Sequence, residues 1–176
     1  MGPANLSNVH LQIPLGFTLV EVITAIGVLA ILAAAVIAAL DPLEQFKKTQ
    51  DSKRKADLAQ VQRALEVYYQ DFGSYPSSNP AGEIVTNDQN DPVKEWGTDW
   101  RPYMDVLPID PVQSKNYAYW SDTTGQSYAI YASLDRGARD QNTCNDGAAC
   151  TNAAANSLTC GAGVCDFGVS SPNIAP

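Results

Sequence analysis

From Phe17 to Leu40 the chain runs through 24 residues with a single charge, Glu21. A hydrocarbon core needs about 20 apolar residues at about 1.5 Å rise each, so this stretch is long enough to cross one. It exceeds the roughly 7–15 residues of a signal-peptide apolar region. No proline interrupts it, and its internal Gly27 is tolerated in membrane helices. The stretch is read as a membrane-spanning helix. Glu21 stands out, because a carboxylate inside a bilayer costs at least about 2.5 kcal/mol and marks a functional position by default. The alternative is that Glu21, one turn into the segment, reaches back to the headgroups.

The head of this helix, GFTLVE at residues 16–21, resembles the processing signature of type IV pilins and type II secretion pseudopilins. The resemblance implies a cut between Gly16 and Phe17 by a prepilin peptidase, with methylation of the new amino terminus. It implies that Glu21 pairs with the terminal amine of a neighbouring subunit during filament growth. Residues 1–16 are then a leader peptide, 17–40 the filament-core helix and 41–176 a soluble, pilin-like domain. Low-dielectric physics agrees, since charges in such a bundle are tolerable only when paired. The leader departs from the family in holding no Lys or Arg.

Charge is unevenly spread. Residues 41–55 hold Lys47, Lys48, Lys53, Arg54 and Lys55 against three acids, whereas residues 56–176 carry a net charge of −9. An acidic soluble part argues against nucleic acid as a primary ligand, which needs a basic footprint. The basic run reads either as a contact for phospholipid headgroups or as a solvated helix face. By the positive-inside rule it would lie in the cytoplasm. The four cysteines, Cys144, Cys150, Cys160 and Cys165, place the same end outside, as does the resemblance. They read as two disulfides with three possible pairings. Zinc is the weaker alternative, because their spacing lacks a C-x2-C knuckle.

Within the first helix, Ala25, Ala30, Ala33, Ala34, Ala35, Ala38 and Ala39 offer a small-residue surface for close helix packing. Asp41-Pro42-Leu43-Glu44 reads as a helix start, and Pro42 predicts a stop, kink or unwinding near residues 38–42. A second, amphipathic helix is expected over 42–72. Leu58, Val61, Leu65, Tyr68 and Phe72 share one face. Between Lys47 and Lys55 the apolar stripe fades, so that part is expected to stand free of the domain. Gly73 and Pro76 end the helix, and ALEVYYQDFGSYP resembles the matching helix end of pilin-like proteins.

Residues 73–115 read as a long αβ-loop with Trp96, Trp100, Tyr103 and Met104 pinning it to the core, or else exposing an aromatic binding patch. LPIDP, 107–111, resembles the segment before the sheet of the major secretion pseudopilin. Residues 116–121 and 127–134 read as strands, and 164–169 as an optional third. Tyr128, Ile130, Ala132 and Leu134 are expected to pack on Leu58, Leu65 and Phe72. Residues 137–162 read as loop held by cysteines. The fold class is α+β: a long N-terminal helix packed on a small antiparallel sheet.

Catalysis finds little support. The single histidine, His10, falls in the leader, which removes Ser-His-Asp and Cys-His systems from a processed chain. No glycine-rich phosphate loop follows a strand. Nothing selects a carboxylate pair, so no catalytic residue, cofactor or assigned metal ligand is expected. Calcium, which some pseudopilins hold after the sheet, has Asp135, Asp140 and Asp146 available in that region.

The resemblance therefore implies a structural subunit of a type IV pilus-like filament. Its partners are copies of itself, related pilins, the prepilin peptidase and the inner-membrane assembly machinery. Before assembly it is a single-pass protein of the inner membrane with an extracytoplasmic domain; afterwards it lies in a cell-surface or periplasmic filament. Within that class the cysteine-closed tail tilts toward a surface pilus, while LPIDP followed by a short sheet tilts toward a secretion pseudopilus. The rival of another class is a monomeric membrane-anchored binding protein that uses its tryptophan-rich loop.

Overall fold

The computed structural model describes residues 16–176. Apart from Gly16, the leader with His10 lies outside the described residues, as do the side chains of Ala38, Ala39 and Leu40. The chain divides into two units, one ending at Pro42 and one running Leu43–Pro176.

In the first unit, helix α1 spans Leu19–Leu40. Its Leu19–Ile37 stretch has a mean hydropathy of 2.6 and none of it is buried. Asp41 ends the helix in the left-handed region, φ 39° and ψ 75°. Asp tolerates that conformation better than most residues, and Pro42 behind it cannot donate a backbone hydrogen bond.

The second unit is α+β. Helix α2 spans Pro42–Phe72. Gly73, at φ +70°, closes it, its N–H donating to the Tyr69 carbonyl at 2.8 Å. Two three-stranded antiparallel sheets follow. The first is a meander of two-residue strands, β1 (Ser77–Ser78), β2 (Ile84–Val85) and β3 (Val93–Lys94). It lies inside the segment expected to be an irregular connection. The second contains β4 (Ala118–Ser121), β5 (Tyr128–Ala132) and β6 (Phe167–Ser170) in that order. Ile130 stands opposite Tyr119 on one side and Val169 on the other. A short helix, α3 (Thr151–Ala155), and single 3-10 turns at Gly137–Arg139 and Cys144–Gly147 fill the tail.

The core lies between α2 and one face of the second sheet. Leu58, Val61, Leu65 and Tyr68 pack with Tyr117, Tyr119, Tyr128, Ile130, Ala132 and Leu134. Phe72 does not join them as expected. It is half exposed and covers Tyr68 at 4.4 Å between ring centroids, because the helix ends there and leaves the domain edge open. The opposite face of the sheet is also buried. Ala118, Ala129 and Tyr131 are covered by Cys150, Ala153, Cys160 and Cys165. Trp100 is 1% exposed, and Trp96 packs edge-on against Tyr117 while donating to the Gly82 carbonyl at 3.2 Å. The loop tryptophans are therefore core, not an exposed patch.

Candidate assembly site

Around the expected processing junction, no heavy atom of the described residues beyond the chain neighbours lies within 4 Å of where a Gly16 side chain would be, and Phe17 is 81% exposed. Helix α1 begins just beyond. Thr18 is its N-cap: Oγ1 accepts from the Glu21 N–H at 3.2 Å, satisfying one of the orphan donors of the first turn. This is one half of a capping box, Thr-x-x-Glu. Sequence reasoning missed it because GFTLVE was read for its cleavage chemistry alone, although the motif is visible. Thr24 Oγ1 donates to the Glu21 carbonyl at 3.0 Å.

Glu21 thus occupies the third helical position, where the helix dipole favours a negative charge. Thr24, Ala25 and Val28 follow it at helical neighbour spacing on the same face. Among the described residues no cation pairs with its carboxylate. Around it Val20, Val22, Ile23 and Ile26 are all exposed. A helix apolar on every side with one acid near its head cannot be satisfied by its own chain in water. It requires a bilayer, other helices, or both.

The charges of the globular unit are arranged in the opposite way. The expectation that residues 47–55 stand free is overturned from Asp51 onward. Asp51 and Arg54 continue the 3-4 step of the buried stripe and are 4% and 0% exposed. Arg54 donates Nε to Asp110 Oδ2 at 2.7 Å and Nη2 to Asp110 Oδ1 at 3.0 Å. Its Nη1 reaches Asp51 and Asp135 at 2.8 Å each. Asp51 also accepts from the backbone N–H of Asp135 and of Arg136. Burial disfavours the Arg54 charge, but Asp110 and Asp135 outweigh it and hold the guanidinium firmly protonated. The aspartate of LPIDP is therefore the clamp that fixes the αβ-loop to α2. Periodicity of apolar residues could not show this, because the docking residues are ionic.

The carboxylates considered for calcium are engaged elsewhere. Asp135 accepts from Lys115 at 2.6 Å as well as from Arg54, and Asp140 pairs with Lys55. Burial raises the Asp135 carboxyl, yet these two hydrogen bonds hold it below the usual range; the Lys55 hydrogen bond does the same for Asp140. With Asp146 they form no common donor set, and among the described residues no cluster of three metal-ligating side chains exists. The cysteines pair as neighbours, Cys144–Cys150 and Cys160–Cys165, with Cα separations of 4.9 and 5.3 Å.

The sequence model of the family described as type II secretion system (T2SS), protein G, matches residues 42–152. The chain belongs to that family. The match begins where α1 ends, so it is independent of the GFTLVE signature, and it includes α2, the LPIDP clamp, β4 and β5. The chain is 31% identical to the type II secretion system core protein G of Pseudomonas aeruginosa over 120 residues, 66% of this chain and 80% of that protein. It is similar to the same-named proteins of Vibrio cholerae, at 31% over 60% of this chain and 70% of that one, and of Escherichia coli K12, at 28% over 54% and 65%. No solved structure matches it significantly. The chain is thus of the pseudopilin class, a structural rather than an enzymatic family, and the pilus reading names the broader class of filament subunit that contains it.

Proposed function

We propose that this chain is a repeating subunit of a type II secretion pseudopilus. A prepilin peptidase cuts between Gly16 and Phe17, and the new amine is methylated. Helix α1 holds the processed subunit in the inner membrane with the globular unit on the periplasmic side. Growth transfers α1 from lipid into a bundle of like helices, from copies of itself and related pseudopilins, driven by the inner-membrane assembly machinery. Glu21 pairs there with the terminal amine of a neighbour and sets its register. The role is structural and uses no catalytic residue or cofactor.

The observation that carries this reading is α1 itself: apolar all round, unburied, with one carboxylate that no described cation neutralises. The burial of Trp100, and the packing of the half-buried Trp96 on the core, speak against the anchored binding protein, whose ligand would need them at the surface.

Glu21→Ala tests it. The variant is expected to insert in the membrane and be processed normally, while filaments recovered by shearing fall at least tenfold. Wild-type filament yield from the variant would remove the pairing role. Mass spectrometry of the mature protein is expected to show an N-methylated chain beginning at Phe17; an uncut leader would overturn the family mechanism.

A further inference from the structure

The opening of α2 and the turn after β5 build one cationic surface with an apolar edge. Leu43 and Phe46 are 70% and 69% exposed, and Lys47 and Lys48 beside them are exposed too. The turn around Gly137–Arg139 is carried to the same place. Arg136 Nε and Arg139 Nη1 each lie 3.2 Å from Glu44 Oε2, and Lys47 Nζ lies 3.1 Å from Glu44 Oε1. One carboxylate is therefore shared by three cations, and Lys48 adds a fourth without an ion pair among the described residues. Asp135 is held by Arg54 and Lys115, and Asp140 by Lys55, so only Glu44 and Asp41 are set against the four cations, which leaves a surplus of two positive charges. Arg136 Nε meets Glu44 as an ion pair without hydrogen-bond alignment. This surplus of positive charge belongs to a chain whose residues 56–176 carry a net charge of −9.

Chain reach fixes how far this surface lies from the hydrocarbon. Pro42 is two residues beyond Leu40, at most about 7 Å of extended chain, and Lys47 is five residues into α2, about 7.5 Å of helical rise. Whatever angle the helices make, Lys47 stays within about 15 Å of the end of α1. Exposed apolar side chains interleaved with Lys and Arg are the chemistry of a membrane interface, and arginines match phosphate oxygens in charge and geometry.

We propose that Leu43, Phe46, Lys47, Lys48, Arg136 and Arg139 form a collar that binds the headgroup phosphates of anionic phospholipids while the subunit waits in the membrane. Glu44 gathers the cations and tempers them. The collar gives the resting subunit a lipid preference that must be surrendered on extraction. The proposal rests on the reading of residues 17–40 as a membrane anchor.

The test is native mass spectrometry of the full-length protein in detergent with equal phosphatidylglycerol and phosphatidylcholine. Wild type is expected to retain phosphatidylglycerol at least fivefold over phosphatidylcholine. Arg136→Gln with Arg139→Gln should bring the ratio toward one. Lys47→Gln with Lys48→Gln, which leaves the turn after β5 intact, should reduce it about as far and guards against misfolding of the first pair. Glu44→Gln should raise it. Equal retention by wild type, or a preference that none of the three variants changes, overturns the proposal. So does loss of the bound lipid to millimolar inorganic phosphate, which would mark a free-anion site. Alkaline carbonate extraction separates the two layers: a chain that washes out has no anchor, whereas one that stays in the membrane without lipid preference has an anchor but no collar.

Discussion

Arg54 and Glu21 are two charges held among apolar neighbours, and the molecule treats them differently. Arg54 is fully buried and meets four carboxylate oxygens, from residues 3, 56 and 81 positions away in the chain. Glu21 lies on a helix whose large apolar side chains are exposed from Leu19 to Ile37, with no ion pair among the described residues. Putting either charge in a low-dielectric place without a partner costs several kcal/mol. The globular unit meets that cost within its own chain. Helix α1 does not meet it among the described residues, and in the proposed filament another chain would. A change at Arg54 is thus read as a folding defect, and a change at Glu21 as an assembly defect in a folded protein.

The largest effect that tests this contrast comes from Arg54→Ala. It strands Asp110, whose side chain is fully buried, and Asp51 beside it. Breaking a buried pair by removing one partner costs about 3–5 kcal/mol. Urea unfolding of the detergent-solubilised protein should show a loss of that size, and Glu21→Ala in the same assay should show almost none. Equal losses would mean that Glu21 also has a partner within its own chain.

How far the fold was legible follows the same division. Apolar periodicity located α2 through Leu58, Val61, Leu65 and Tyr68, and aromatic alternation located β4 and β5. It failed where charged residues took over the buried stripe. Asp51 and Arg54 have the right 3-4 spacing, but their burial depends on Asp110 and Asp135, which only the folded chain brings near. It failed again at β1–β3, since strands of two residues carry no period. The second buried face of the main sheet was hidden for another reason. Ala118 and Ala129 are small enough to admit the cysteine-bearing tail, and small residues in a strand do not announce which face is covered. Four cysteines allow three pairings, and nothing short of the tail's own path decides among them. At the candidate assembly site a motif carries the expectations for Glu21 and the Gly16–Phe17 junction. Thr18 belonged to a second motif laid over the first.

The cysteine-covered face gives the next effect in size. In the chain-entropy picture, bridges closing loops as short as these contribute about 2–2.5 kcal/mol each. Replacing Cys144 and Cys150 by Ser should lower the unfolding free energy by that amount, read as a fall in the urea midpoint. Cys150 packs on the face with Ala118 and Tyr131, and Cys160 and Cys165 pack there too, so the Cys160 and Cys165 double variant should lose about as much. Neither pair should alter insertion of α1.

Acid separates the charges again. Asp135 and Asp140 are held below the ordinary carboxyl value of 3.8 by their cations. The unfolded chain therefore binds protons more readily at these positions. Their contribution is complete above about pH 4 and is lost as pH falls through their folded values. Asp166 has the opposite sign. Burial raises its carboxyl even though Oδ1 accepts the Leu134 N–H at 2.8 Å. Its protonation favours the folded state, and stability from this group rises as pH falls from its raised value toward 3.8. Asp166→Asn keeps the acceptor and removes the buried charge. Thermal melts from pH 7 to pH 3 should show the variant more stable at neutral pH, with a steeper loss on acidification. A profile parallel to wild type would show that Asp166 does not titrate differently on folding.

The smallest effect bears on Glu21 most directly. Thr18 holds the Glu21 N–H, and losing such a cap costs about 1 kcal/mol of local helix stability, roughly fivefold in the population of the capped turn. With the proposed cleavage Thr18 would be the second residue of the mature chain, and the cap would stand between the new amine and the carboxylate proposed to answer a neighbour's amine. Thr18→Ala should therefore reduce filament yield severalfold, less than Glu21→Ala, while leaving the urea midpoint of the globular unit unchanged. Thr18→Ser, which restores the hydroxyl, should recover the yield. If alanine and serine behave alike, the first turn is held by its surroundings in the bundle, and the register of Glu21 is set between chains rather than prepared within one.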